Sequence, residues 1–317
     1  MKVLILIPVD EERKTRLQAA VPSAEFIYTS NKEVNDDDIK EAEVIIGNID
    51  RDKLKLCSSL KWLQLNSAGA DGYTDLINDG ILLTNASGAY GLAISEHMLG
   101  MLLEIKKKLY LYRDNQRNCI WRSEGSVTSI EGAVTLVIGM GDIGGDFARK
   151  IKALGGYVIG VKRTPSEKPP YCDELYTADK LDQLLPRADI ISLSLPGNAE
   201  TEHILDRRRL NLTKQGSVIL NVGRGSAIDT DALCELLNAG HFEGVGLDVT
   251  EPEPLPPDHR LWKISNAVIT PHISGFFHLH KTLERITDIA IDNMNRYAKG
   301  ERLKNIVDIE TGYRKHN

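Results

Sequence analysis

Residues 137–151 read VIGMGDIGGDFARKI, an apolar run that breaks into glycines and then into a helix-forming stretch. Gly139, Gly141 and Gly144 spell G-x-G-x-x-G. In that spacing the first glycine permits a tight turn, the second lets a pyrophosphate approach the backbone, and the third lets the helix pack close to the sheet. The helix N-terminus then offers N–H groups to the anion, so Met140, Asp142 and Ile143 join the glycines as expected cofactor contacts. Glycines also serve ordinary turns. The strand before them and the helix after them are what make a dinucleotide site the better reading.

Outward from this point the chain alternates between two textures. Downstream of AVTLVIG (133–139) come YVIGV (157–161), ADIISLSL (188–195), GSVILNV (216–222), VGLDV (245–249) and AVIT (267–270). Upstream lie VLILIPV (3–9), EFIYT (25–29), EVIIGN (43–48), LKWLQLN (60–66) and ILLTNA (81–86), separated by charged helical segments such as 11–20 and 35–43. Continuous apolar strands alternating with helices indicate parallel sheets covered on both faces. The expected fold is therefore α/β, with two doubly wound parallel-sheet domains, flavodoxin-like and Rossmann, and a cleft between them. The stretch from Tyr90 to Asn118 has no proline and is apolar around much of its circumference, so it predicts one long helix. A last helix is expected at about 278–299, with a short tail returning to the first domain. The expected division is a discontinuous substrate domain, 1–98 plus 287–317, around a nucleotide-binding domain, 99–286.

Composition narrows the setting. The 317 residues carry 39 basic and 45 acidic side chains, a net charge of −6, which argues against a nucleic-acid partner. No apolar run reaches the roughly 18–20 residues a membrane helix needs, and MKVLILIPVDEER reads as a first strand rather than a signal peptide. Cys57, Cys119, Cys172 and Cys234 are far apart and form no C-x-x-C, which suits a reducing, cytoplasmic compartment.

The strand end after YVIGV bears on which dinucleotide is bound. NAD sites place an acid there for the ribose hydroxyls; here stand Lys162, Arg163 and Thr164, and the first acid is Glu167. Two cations and a hydroxyl make a socket for a 2′-phosphate, so NADP(H) is expected to be preferred, with NAD(H) possible. A basic surface turn with no ligand is the plainer alternative.

Four ordered motifs, NASGAYGLAISEH (85–97), NVGRGSAIDTDAL (221–233), GLDVTEPEPLP (246–256) and ITPHISG (269–275), resemble the D-isomer-specific 2-hydroxyacid dehydrogenases, most nearly the glyoxylate/hydroxypyruvate reductase branch. The resemblance implies that Arg224 grips the substrate carboxylate and carbonyl oxygen, that His272 is the acid/base, and that Glu253 orients it. It further implies that Ala68 and Gly69 offer backbone N–H groups to the carboxylate and that Asp248 holds the nicotinamide carboxamide. Leu195, Pro196, Val222 and Gly223 would line the cofactor cleft with Thr201 nearby, and Gly275 closes the motif after His272. It also implies a homodimer through the over-apolar helix at 90–115.

The chemistry of the trio stands beside the resemblance. Reducing a 2-keto acid requires hydride on carbon and a proton on oxygen. A histidine paired with a carboxylate is a suitable donor near neutral pH, and an arginine fork matches a planar carboxylate. Taken singly, Arg224 reads as a surface charge, and Glu253 and His272 as loop residues; their joint fit to one reaction outweighs that. No metal is expected: His272, His278, His280 and Glu284 are declined as a cluster, because the reaction needs none. Cys119 and Cys234 read as packing residues, and Lys106–Lys108 as a solvated helical turn. Phe276 and Phe277 depart from the motif where small residues are expected, Arg260 stands where proline is common, and Ser95 replaces alanine without evident consequence. The reading is reduction of a small 2-keto acid by NADPH to a D-2-hydroxy acid. The alternatives are an NAD-dependent dehydrogenase working oxidatively and a nucleotide-sensing corepressor-like binding protein.

Overall fold

The five apolar runs before residue 90 form strands β1 Lys2–Ile5, β2 Glu25–Tyr28, β3 Val44–Ile46, β4 Trp62–Gln64 and β5 Leu82–Thr84. The computed structural model describes residues 1–77 and 80–312. Between the strands lie helices α1 Glu11–Ala20, α2 Asp36–Glu41 and α3 Arg51–Leu54. Asp10 and Asn35 cap the first two by accepting from N–H groups of the first turn. All pairings are parallel, in the order β2-β1-β3-β4-β5, the flavodoxin-like order.

The second unit begins with α4 Gly91–Lys106 and α5 Leu109–Arg117. It continues through β6 Val134–Ile138, α6 Asp142–Ala153, β7 Tyr157–Lys162, β8 Glu174–Thr177, α7 Leu181–Leu184, β9 Ile190–Leu193 and α8 Arg207–Leu212. It ends with β10 Ser217–Asn221, α9 Thr230–Asn238, β11 Phe242–Leu247 and β12 Ala267–Ile269. The sheet order β12-β11-β10-β9-β6-β7-β8 is that of a Rossmann sheet with one added edge strand. Its central strands β6, β9 and β10 are buried on both faces, which explains their unbroken apolar runs.

The chain then returns to the first unit in α10 His280–Ala298. Val307 N donates to Leu83 O at 2.9 Å and Asn85 N to Asn305 O at 3.2 Å, so the tail pairs along β5. Two compact units result, Met1–Tyr90 with Phe276–Asn317, and Gly91–Gly275. The divisions fall at the head of α4 and just after the His272 loop, rather than at 98/99 and 286/287, because the whole of α4 packs on α6, β10 and β11. Residues 313–317 of the expected tail lie outside the described residues.

Register decides what the second sheet presents. Ile138, Leu193, Asn221, Leu247 and Ile269 are aligned partners across adjacent strands. One further rung of bonds follows: Ser194 N to Ile138 O, Val222 N to Leu193 O, Asp248 N to Asn221 O and Thr270 N to Leu247 O, at 2.9–3.1 Å. The loops after β6, β9, β10, β11 and β12 therefore all start level, at the carboxyl ends where open α/β sheets bind ligands.

The expectations for the long helix, the lysine run, the apolar face of α4 and Ser95 are corrected, and one strand is added. The helix from residue 90 to 118 is two helices, because the chain turns at Lys108 in the left-handed region, φ 55°. Lys106–Lys108 is not a solvated turn: Lys106 is 3% exposed, its Nζ 3.6 Å from Glu243 and 3.2 Å from Thr128 Oγ1. Lys107 and Lys108 reach Thr128 O and Glu124 O, each at 2.7 Å, so the run ties down segment 124–128. The apolar excess of α4 is largely taken up by its own sheet, where a Cβ at Gly244 or Gly246 would press on Ile105 or Met101. Strand β8 escaped the sequence because it is a half-buried edge strand, ELYT; there the Arg187 guanidinium, helped by the Tyr176 hydroxyl, holds the Glu174 carboxyl down to about 2. Ser95 has a consequence after all, accepting from Lys150 Nζ at 2.8 Å and so joining α4 to α6.

The glycine turn yields a stability test. A Cβ on Gly144 would collide with Gly139 O and Ser194 Oγ. Gly144→Ala should therefore lower the urea midpoint by the equivalent of about 1–3 kcal/mol. A midpoint equal to the parent's would show that the helix can move away without cost.

Candidate active site

Arg224 follows β10 in a loop held down by its flanking glycines. Gly223 lies against the Leu195 backbone, with Leu195 N 2.6 Å from where a Cβ would stand, and a Cβ at Gly225 would collide with Thr250 O. Only residues without side chains allow these backbones to approach so closely. Asn221 clamps the loop from within, its Nδ2 donating to Arg224 O at 2.8 Å and its Oδ1 accepting from Gly223 N at 3.0 Å. Arg224 is half-buried, and its Nη1 donates to Gly223 O at 2.7 Å.

The contact of Gly225 with Thr250 brings this loop beside the one that carries Glu253. Glu253 Oε1 lies 2.6 Å from His272 Nδ1, and both side chains are a little over two-fifths exposed. An ionised carboxylate only accepts, so Nδ1 carries the hydrogen and Nε2 becomes the outward nitrogen. The structure thus brings together the pair read from the sequence, with Arg224 one loop away.

His272 stands in the left-handed region, φ 53°, costly for a side chain with a Cβ unless its surroundings impose it. The imposing group is Asp248, 1% exposed. Its Oδ1 accepts from Thr270 Oγ1 at 2.6 Å and Ile273 N at 3.0 Å; its Oδ2 accepts from Ser274 N at 3.1 Å and Ser274 Oγ at 2.5 Å. Asp248 O takes His272 N at 2.7 Å. Burial works against the charge, but the hydrogen bonds from Ser274, Thr270 and the loop N–H groups outweigh it and hold the carboxyl below its ordinary value. The carboxylate expected to hold a carboxamide is also engaged by the His272 loop, through both oxygens.

The glycine turn has the features of a pyrophosphate cradle. Gly139 has φ 99°, and a Cβ there would press on Ser194 O and Leu195. A Cβ on Gly141 would meet nothing within 4 Å, so the space above it is open. Among the described residues, the N–H groups of Asp142, Ile143 and Gly144 have no protein acceptor. The Asp142 carboxylate accepts from Gly91 N at 2.8 Å and so caps α4, while Met140 is buried against Gly160; both can offer only backbone to a ligand. A dinucleotide fits this turn.

The remaining expected contacts fall as follows. Val222 is buried beside Gly223, and Leu195 and Pro196 begin the loop after β9. Thr201 braces that loop, donating to Pro196 O at 2.7 Å and accepting from Asn198 N at 3.0 Å, so its hydroxyl is spent internally. Lys162 donates to Ser166 Oγ at 2.8 Å, and Arg163 and Thr164 are exposed past the end of β7, next to Val161, whose carbonyl takes Gly139 N at 3.0 Å. Gly275 is the last residue of its unit. In the other unit, Ala68 O and Gly69 O accept from Asn85 Nδ2 at 2.7 Å and Ser67 Oγ at 2.6 Å, and among the described residues neither N–H has a protein acceptor. His280 Nε2 lies 3.4 Å from Glu284 Oε1 in the first turn of α10.

Sequence reasoning missed Thr270, Ser274 and His97, whose Nε2 is 2.9 Å from Thr270 Oγ1. Hydroxyls on both sides of Pro271–His272 were a usable signal for the first two. His97 lies 173 residues from its partner and carried none.

A family model described as "D-isomer specific 2-hydroxyacid dehydrogenase, NAD binding domain" matches residues 99–274. The chain belongs to that family. A family member of known structure from Aeromonas salmonicida is 31% identical, with a TM-score of 0.86 over 97% of this chain and 99% of its own. An NADPH-dependent glyoxylate/hydroxypyruvate reductase from Sinorhizobium meliloti, solved with NADP and sulfate, is 25% identical, with a TM-score of 0.83 over 98% and 99%. A D-3-phosphoglycerate dehydrogenase from Mycobacterium leprae is 32% identical over 96% of this chain, which spans 55% of that longer protein. Members of the family are NAD(P)-dependent oxidoreductases, and the unit Gly91–Gly275 is its nucleotide-binding domain.

The depressed Asp248 carboxyl sets a pH dependence. A folded value below the unfolded one of about 4 gives stability that is complete above that pH and is lost as pH falls through the folded value. Asp248→Asn leaves an amide hydrogen facing a loop donor and should cost about 1.5–3 kcal/mol at pH 7. The gap between parent and variant, read from urea midpoints, should narrow below about pH 4. A gap that stays constant with pH overturns the assignment.

Proposed function

We propose that the protein reduces a small 2-keto acid, of the glyoxylate or hydroxypyruvate type, to the D-2-hydroxy acid with NADPH. The observation that carries this is the His272 Nδ1–Glu253 Oε1 contact at 2.6 Å, one loop away from Arg224. The Arg224 guanidinium pairs with the keto acid carboxylate and stabilises charge growing on the carbonyl oxygen. His272 Nε2 gives its proton to that oxygen, and Glu253 holds the ring through Nδ1. When bound, the dihydronicotinamide supplies hydride to the carbonyl carbon. The backbone N–H groups of Asp142, Ile143 and Gly144 hold the pyrophosphate at the head of α6.

The choice of NADPH rests on Lys162, Arg163 and Thr164 at the end of β7, where an NAD site would present a carboxylate. A homodimer is supported by Leu109, Ile120, Trp121 and Val127, large apolar side chains exposed on and after α5, with Trp121 wholly in solvent. The free state of all four cysteines suits a reducing cytoplasm. Among the described residues no helix is long and apolar enough to cross a membrane.

A panel of keto acids tested with both cofactors decides the reading, and failure to oxidise NADPH with any of them rejects it. On an accepted keto acid, Arg224→Gln should lose roughly 10- to 150-fold in kcat/KM, the loss of about 1.5–3 kcal/mol of charged hydrogen bonding. His272→Ala should lose on the order of 10²–10⁴ in kcat. Parent-like constants in either variant remove that residue from the mechanism. Arg163→Ala should weaken NADPH by roughly 30- to 150-fold and NADH little, as expected for losing ~2–3 kcal/mol of phosphate contact. Equal kcat/KM for the two cofactors in the unmutated protein rejects the phosphate socket and leaves the trio untouched.

A further inference from the structure

His97 lies on α4, far in sequence from the loop that carries His272, yet it enters that loop's hydrogen-bond network. Its Nε2 is 2.9 Å from Thr270 Oγ1 and 3.8 Å from Asp248 Oδ1. Thr270 Oγ1 lies 2.6 Å from the same carboxylate oxygen. A hydroxyl has one hydrogen, and an ionised carboxylate can only accept. The Thr270 hydrogen therefore goes to Asp248, and the bond to His97 must run the other way, from Nε2–H to the hydroxyl lone pair. The network itself places a hydrogen on Nε2 of His97.

We infer that His97 is a positioning residue for the proposed reaction, acting on His272 through Thr270 and Asp248. The inference rests on the reading of His272 as the proton donor. Two donors in series point from α4 at Asp248 Oδ1, and such chains strengthen one another where water is scarce. The same oxygen accepts from Ile273 N, the residue next to His272. Asp248 O holds His272 N itself, and His272 keeps its left-handed backbone only while these bonds persist. The helix that carries His97 is anchored in turn, its first N–H bonded to Asp142 at the head of α6. Removing the Nε2 donor leaves the Thr270 hydroxyl oxygen without the donor that ties it to α4, and the loop able to shift His272 off Glu253. A displacement of about 1 Å at such a site can cost up to 10²-fold in rate.

The test compares His97→Leu, which fills similar space without a donor, with His97→Gln, whose amide N–H can reach the same hydroxyl. In reduction of an accepted keto acid, His97→Leu should lower kcat about tenfold, equivalent to ~1.4 kcal/mol. KM for keto acid and cofactor should stay within about twofold, as for loss of an interaction made in the transition state. His97→Gln should restore most of the rate. Hydrogen exchange of the peptide spanning 270–275 should quicken in the leucine variant and return to the parent's rate in the glutamine variant. Parent-like kcat or parent-like exchange in His97→Leu overturns the inference, and so does a glutamine variant as impaired as the leucine one, which would make the ring's packing the cause. If the unmutated protein reduces no keto acid, the functional reading fails, and the exchange comparison still decides whether His97 orders the loop.

Discussion

The loops that carry the glycine turn, Arg224, Glu253 and His272 depend on the parallel register of the second sheet. Ile138, Leu193, Asn221, Leu247 and Ile269 form one rung, and the ladder carries one bond further into each loop. Five loops therefore begin at one height, and their first residues are neighbours by construction. A one-residue slip in any strand would reverse which side chains face the helices. Because both faces of these strands are buried under apolar contacts, such a slip is strongly disfavoured.

On that platform the loops are fixed by two kinds of close contact. Backbone meets backbone at Gly139, Gly144, Gly223 and Gly225, where a Cβ would be stopped by a neighbouring loop or by the turn itself. At the far end a charge takes over: the buried Asp248 carboxylate accepts four hydrogen bonds from residues 270–274. A buried carboxylate without partners would be costly, so the loop that satisfies it has little freedom. His272 inherits its unusual backbone and its direction from that constraint.

The helix α4 acts in both parts of this construction. Its tight seat on Gly244 and Gly246 covers the sheet, its first N–H is capped by Asp142 beside the glycine turn, and His97 meets the network of the His272 loop. Its apolar composition reflects that inward role. Exposed apolar side chains follow it in the chain, among them Leu109, Ile120, Trp121 and Val127.

Much of this was legible in the sequence. Apolar runs separated by charged stretches marked every strand except β8, because a strand buried on both faces must be apolar throughout, whereas an edge strand such as ELYT need not be. The fingerprint glycines were also marked, since backbone conformation there demands glycine at short spacing, whereas Arg224, Glu253 and His272 were marked by the family resemblance of the motifs that carry them. The break of the long helix at Lys108, the burial of Lys106 and the use of Asp248 as a loop anchor were not. Neither was the bond between His97 and Thr270. The burial of Lys106 and the bond of His97 depend on partners remote in the chain, Glu243 and Thr270. Local sequence determines which residues can form a strand, a turn or an acid–base pair; only the folded sheet decides which distant donor reaches a buried charge, because that depends on the register and packing of elements far apart along the chain.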